Sequence, residues 1–181
     1  FPGQGSQIVS MGKDIYTKHD FIKKLFKEAD DVLGYNISKI ILEGPKEDLD
    51  LTSNTQPAIF LISYSIFKLI KEKFNLNLFN AKYFAGHSLG EYSALACSEA
   101  INFADTLKIL KKRGEAMQNS VAKGTGGMLA VLGSNIENLK KIINENNHQS
   151  EVFIANDNSD GQIVVSGKIN DLKKFAEKLK S

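Results

Sequence analysis

The chain contains no tryptophan, one cysteine and three prolines. The lone cysteine, Cys97, excludes an internal disulfide and supplies no metal-ligand pair. No apolar run approaches the roughly 20 residues needed to span a bilayer. No basic-then-apolar leader with a small-residue cleavage site opens the sequence. Net charge is also scarce, at +2 over 181 residues, and the basic residues are dispersed rather than striped with aromatics, which argues against a nucleic-acid binder. The scarcest charged type is arginine: of 23 basic residues, only Arg113 is one. With Asn and Ile abundant, this reads as a coding bias toward A/T-rich codons. The one guanidinium that persists is a residue to watch, because lysine cannot imitate its planar fork.

What is present is ordinary for a globular protein: 42% apolar and 24% charged residues, in a length that suits one large domain or a medium domain plus a small one. Residues 1–7, FPGQGSQ, form a Gly-rich loop. Helical patterns follow around Asp14–Tyr16 and over Phe21–Leu33, ending near Gly34. Pro45 lies in a polar loop that runs to Asn54. Thr55 suits an N-cap and Pro57 a first helical turn, and the apolar run through Phe67 predicts a central buried helix. A short strand, Lys82–Ala85, leads into GHSLGEYSALACSEA, whose second part reads as a helix of small residues. Asn102, with Asp105 three positions on, predicts the start of a helix over 103–121. Its buried stripe is Leu107, Leu110, Gly114, Met117 and Val121. Beyond Lys123–Gly127 the pattern is strand Met128–Gly133, helix Ile136–Asn144, strand Val152–Asn156, turn Asn158–Gly161, strand Gln162–Ser166 and helix Asp171–Lys180. That β-α-β-β-α order is a ferredoxin-like unit lacking its last strand. Phe1-Pro2-Gly3 reads as the end of a strand with none before it, and no element follows the last helix. The expectation is a piece of a longer chain, incomplete at both ends.

Gly86-His87-Ser88-Leu89-Gly90 fits the G-x-S-x-G nucleophile elbow, here between an apolar strand and a helix. The serine must occupy a strained turn, and glycines two positions either side leave room for it. The helix N-terminus then directs free N–H groups at a developing oxyanion, with the Leu89 N–H as the natural first donor. The alternative is an ordinary strand-to-helix turn capped by Ser88. Glu91 reads as a support of the helix start. Gly3-Gln4-Gly5-Ser6-Gln7 fits neither the dinucleotide nor the phosphate-loop pattern. Its glycines therefore serve another close backbone approach. Arg113 falls at the flank of its helix's apolar stripe, where a permanent charge needs an anionic partner. That partner is either a substrate carboxylate or an internal Asp or Glu.

FPGQGSQ, NTQPAIF, AGHSLGEYSALA, RGEAMQ, GTGGMLAVLG and NDNSDGQIVVSG occur in that order. Together they resemble the malonyl-CoA:acyl carrier protein transacylase family of acyltransferases, across essentially the whole chain. The resemblance implies an α/β fold with an α/β-hydrolase-like large subdomain, a parallel sheet with helices over residues 1–122, and a ferredoxin-like small subdomain, residues 123–181. It implies Ser88 as nucleophile, the backbone N–H groups of Gln4 and Leu89 as oxyanion hole, and Arg113 as the ligand of the malonyl carboxylate. It implies malonyl-CoA and acyl carrier protein as partners, with no metal or redox cofactor, since the CoA thioester is a substrate. A monomer is expected, in the cytoplasm or, if a leader was removed, a plastid-type organelle.

The family's catalytic His comes from a later segment, and none of His19, His87 and His148 matches it. The base and its orienting partner are therefore expected beyond Ser181. Gln56 reads either as facing the pocket or as packing. Asn156 and Asn158 read as turn residues or as contacts of the coenzyme or the carrier arm, and Cys97 as a small packing residue. Lys168, Lys173 and Lys174 read as a solvated face or as an attractor of an acidic carrier. Open alternatives are a serine hydrolase or thioesterase, the acyltransferase domain of a polyketide or fatty acid synthase, and a non-catalytic carrier-binding module.

Overall fold

A computed structural model describes residues 1–74, 76–122, 124–146 and 151–179. It is an α/β chain of helices with a small antiparallel sheet. It divides into two compact units, Phe1–Asn119 and Ser120–Ser181, each with its own apolar core.

The first unit carries α1 (Lys13–Lys18), α2 (Asp20–Leu33), α3 (Ile37–Glu43), α4 (Lys46–Leu49), α5 (Thr52–Lys73), α6 (Leu89–Cys97) and α7 (Phe103–Asn119). Its core gathers Ile22, Phe26, Phe60, Leu61, Leu89 and Leu107 with their neighbours. α2 ends at Gly34 in the left-handed region, φ 74°, as the sequence predicts. α4 falls within the predicted polar loop, and α3 in a stretch for which the pattern predicts no element. α3 is capped by Asn36, whose side chain accepts from the Lys39 N–H.

α5 begins earlier than expected. Leu51 is its N-cap, and the Leu51 carbonyl accepts from the N–H groups of Asn54 and Thr55, both at 2.8 Å. The first turn is therefore closed before Thr55, and Pro57 lies inside the helix. Thr55 is not a cap: its buried hydroxyl donates to the Leu49 carbonyl at 2.6 Å. α5 is the central helix, as predicted, with Phe60 and Leu61 completely buried.

α7 crosses the start of α5 at very short range. A Cβ on Gly114 would stand 2.6 Å from the Thr52 carbonyl oxygen and 2.7 Å from Ser53 Cα. Only glycine permits this approach. Asn102 caps α7, its Oδ1 accepting from the Asp105 N–H at 2.8 Å. The expected apolar stripe is shorter than predicted. Leu107, Leu110 and Gly114 are buried, but α7 ends at Asn119 and both Met117 and Val121 are exposed.

Residues 82–85 form no strand, and among the described residues the first unit holds no sheet, so the parallel sheet expected of an α/β-hydrolase-like subdomain is not formed there. The end of this segment meets Phe1 through two bonds in the pattern of one parallel pair. The Phe1 ammonium donates to the Ala85 carbonyl at 2.8 Å, and the His87 N–H donates to the Phe1 carbonyl at 3.1 Å. One pair is too short to make a ladder.

The second unit runs β1 (Gly126–Leu132), α8 (Ile136–Asn146), β2 (Val152–Ser159), β3 (Gln162–Lys168) and α9 (Ile169–Lys178). The antiparallel sheet has the order β1-β3-β2. Side chains alternate across it. Val131, Val152, Ile163 and Val165 pack with Leu139 of α8 and with Leu172 and Phe175 of α9. Met128, Leu132 and Phe153 are exposed. The predicted turn over Asn158–Gly161 is tighter in the structure. β2 continues to Ser159 through two register irregularities, and the reversal is confined to Asp160–Gly161, with Gly161 at φ 76°. α9 starts before the expected Asp171, because the Ile169 N–H already finds the Thr125 carbonyl at 3.1 Å.

Candidate active site

The site is built in the first unit around the turn that opens α6. Ser88 has φ 55° and ψ −114°, a sparsely populated conformation for a residue with a side chain. Two close backbone approaches over-determine it. A Cβ on Gly86 would land on the backbone of Gly90 and Glu91. One on Gly90 would overlap the carbonyl of Phe1 and stand 2.8 Å from that of Pro2. Both glycines of the motif are thus required by main chain meeting main chain. Leu89 is completely buried and anchors the helix start.

The first turn of α6 is tight: Gly90 N–H donates to the His87 carbonyl at 2.9 Å and Glu91 N–H to the Ser88 carbonyl at 3.1 Å. The Leu89 N–H donates to no acceptor among the described residues. Neither does the Gln4 N–H. The Gln4 loop lies directly against the turn, since a Cβ on Gly3 would stand 2.6 Å from His87 Nδ1 and 2.9 Å from the His87 carbonyl oxygen.

Arg113 reaches Ser88 from α7. Its Nη2 donates to Ser88 Oγ at 3.1 Å and its Nη1 to Gln56 Oε1 at 2.7 Å. The guanidinium carbon lies 5.8 Å from the centre of the Tyr92 ring, on the first turn of α6. Gln56 is completely buried, and its Nε2 donates to Met117 Sδ at 3.1 Å. The Gly114 contact explains this meeting: it draws α7 against the start of α5, and Arg113 and Gln56 sit on the facing turns. Arg113 makes no ion pair with an acid among the described residues. The alternative of an internal Asp or Glu partner is not what the structure holds.

Ser88, Leu89, Gln56 and Arg113 are thereby brought together, with the Gln4 loop beside them. Tyr92 is the residue of this cluster that sequence reasoning missed; its position four after Ser88, one helical turn on, was the available signal. His87 stands over Gly3. His19 sits at the N-cap of α2, its ring 5.7 Å from Phe21. His148 lies outside the described residues. Asn156 and Asn158 lie on β2 of the second unit, Asn158 at the second register irregularity. Lys168 pairs with Glu151 at 2.9 Å, and that hydrogen bond raises its pKa. Cys97 is buried, and desolvation pushes its thiol up to about 12, so it is not a nucleophile at neutral pH. Among the described residues no group of three or more His, Cys, Asp or Glu is arranged to hold a metal.

A separate apolar groove of about 500 Å³ lies in the same unit, lined by Pro2, Ile59, Ile62, Ile66, Phe67 and Phe84 among others; Ser88, Gln56 and Arg113 are not part of it.

Known proteins resemble this chain closely. A Bacillus subtilis protein named malonyl CoA-acyl carrier protein transacylase is 42% identical over 178 residues, covering 98% of this chain and 55% of the relative. The crystal structure of an acyl-carrier-protein-S-malonyltransferase from Bartonella henselae superposes with a TM-score of 0.90 at 40% identity, covering 98% of this chain and 56% of that one. A type II PKS acyl-carrier protein in complex with its malonyl-transacylase gives a TM-score of 0.90 at 37% identity, covering 99% of this chain and 57% of that one. The chain spans about half the length of the curated relatives it matches. The family model described as the acyl transferase domain matches residues 1–181, and the chain belongs to that family.

Proposed function

We propose that the complete protein moves a malonyl group from coenzyme A to the phosphopantetheine thiol of acyl carrier protein, through a malonyl ester on Ser88. The observation that carries this is the bond from Arg113 to Ser88 Oγ, in a guanidinium whose other partners are neutral. A free carboxylate two carbons from a reacting carbonyl completes that arrangement, in the bidentate geometry that arginine favours. The names of the relatives support the same chemistry.

Ser88 Oγ attacks the thioester carbonyl as its proton passes to a general base. The family resemblance assigns that base to a histidine outside residues 1–181. The N–H groups of Leu89 and Gln4 take up the oxyanion charge, and losing one such donor costs on the order of 3 kcal/mol. The carbon–sulfur bond breaks and CoA leaves as the thiol, carrying the proton. The carrier thiol then attacks the ester and Ser88 regains its proton. In this reading the complete protein carries out the transfer with side chains and main-chain amides, as a monomer. The first unit corresponds to an α/β-hydrolase-like subdomain. The second, with its β-α-β-β-α order, corresponds to a ferredoxin-like one.

Incubating the complete polypeptide with isotope-labelled malonyl-CoA tests this. A stoichiometric ester should form on Ser88 and move to holo-carrier protein when that is added, and Ser88→Ala should abolish both. Label that passes to water at one rate, with or without carrier, would identify a hydrolase instead.

A further inference from the structure

The Gly-rich loop holds two polar side chains that the proposed chemistry does not use, Ser6 and Gln7. Each is bonded to a peptide unit next to Gln4. The Ser6 hydroxyl donates to the Gly3 carbonyl at 2.9 Å. That carbonyl shares a planar trans peptide with the Gln4 N–H, so the two point in opposite directions. Fixing the carbonyl therefore fixes where the N–H is aimed. Gln7 Oε1 accepts from the Gly5 N–H at 2.8 Å, which holds the next peptide plane. Gly5 itself sits at φ 105°, a conformation open to glycine.

The clamp is anchored outside the loop. Gln7 Nε2 donates to Asp50 Oδ1 at 2.9 Å, and Asp50 is bonded by Lys46. Hydrogen bonds from Lys46 first, then from Gln7, hold the Asp50 carboxyl below its ordinary range, so it stays an ionised acceptor. Asp50 ends α4 just ahead of the start of α5. Gln4 Nε2 adds a long bond to Thr52 Oγ1, at 3.4 Å, on the first residue of α5. The loop is thus referenced to the helix that also carries Gln56.

We propose that Ser6 and Gln7 are positioning residues for acyl transfer: they lock the two peptide planes flanking Gln4, with Asp50 as the anchor, and so aim the Gln4 N–H at the oxyanion. This rests on the reading of Gln4 N–H as an oxyanion donor to a Ser88-bound intermediate. An exposed Gly-rich loop is otherwise free to rotate those planes, and a donor that must reorganise during reaction stabilises less.

The test uses Gln7→Met, which keeps side-chain length without the hydrogen bonds, and Ser6→Ala, both in the complete polypeptide. Turnover is referred to Ser88 titrated with an acyl phosphonate, so loss of folded protein does not count. Each variant should lower kcat about tenfold, a fraction of the effect of deleting a donor, with KM within about twofold. The loss should be equal for malonyl- and acetyl-CoA, because both acyl groups form the same oxyanion. Asp50→Ala should share this signature, and Asp50→Asn, which keeps an acceptor, should lose less. Should Gln7→Met fail to fold, Ser6→Ala removes only one exposed oxygen and carries the test. A kcat per titrated site equal to that of the unaltered protein overturns the proposal, as does a loss confined to malonyl-CoA. An acyl-enzyme that survives Ser88→Ala sinks the underlying reading and this proposal with it. Unchanged turnover in both variants, with Ser88→Ala inert, sinks this proposal alone.

Discussion

In the proposed function, Arg113 is the residue on which selectivity turns. The residue is half-buried, its guanidinium bonded to a buried amide and a hydroxyl and placed over the Tyr92 ring, with no acid beside it among the described residues. A charge so placed is poised for an anionic ligand. Lysine would keep the charge and lose the fork and the simultaneous reach to Gln56 and Ser88. Arg113→Lys is therefore expected to lower malonyl transfer by about 100-fold, the scale of two charge-assisted hydrogen bonds. It should change acetyl transfer by no more than a few fold. Initial rates with the two CoA esters check this, and equal losses would separate Arg113 from carboxylate recognition. The signal for Arg113 was present in composition alone, as the single guanidinium among lysines. Gln56 was not legible in the same way. Its pairing joins positions 57 apart and depends on how two helices cross, which no local pattern states.

At the level of elements, glycine spacing made the elbow readable and local propensity misplaced the start of α5. G-x-S-x-G describes a backbone collision avoided at two positions, so five consecutive residues suffice to recognise it. Thr55 and Pro57 look like a helix start because both residue types favour one. The first turn is instead closed by the Leu51 carbonyl, and buried packing on both sides overrides the cost of an interior proline. The strand expected at 82–85 depends on partners rather than on its own residues, and Phe1 supplies one pair of bonds. Gly114 was read only as a member of an apolar stripe, whereas its role is distance. Gly114→Ala places a methyl against the Thr52 and Ser53 backbone and must push α7 away from α5. The expected cost is about 1–3 kcal/mol, seen as a lower denaturant midpoint. The ratio of malonyl to acetyl transfer should fall with it, because Arg113 is the adjacent residue. A stability loss that left this ratio unchanged would show that the crossing does not place Arg113.

For the molecule as a whole, two cores imply two opening free energies. Leu139 is completely buried in the second unit, among the side chains that join α8 and α9 to the sheet. Leu139→Ala should cost that unit about 2–5 kcal/mol. Hydrogen exchange should then quicken at amides of β1, β2 and β3 while those of α5 and α7 keep their protection. Faster exchange in both units alike would mean that they open as one. The order of elements in the second unit followed from alternation and turn signals, because β2 and β3 form a local hairpin, although the pairing of β1 with β3 spans the intervening helix and strand. The first unit was less readable, because its helices are assembled by contacts between distant residues. One of those contacts links recognition to reactivity. The bond from Arg113 to Ser88 Oγ ties α7 to the turn before α6 across 25 positions. In the proposed function, a bound carboxylate would share the guanidinium with the serine oxygen. On that reading, a carboxylate held by Arg113 is coupled to the attacking oxygen of Ser88 through one hydrogen bond, with no shift of the main chain required.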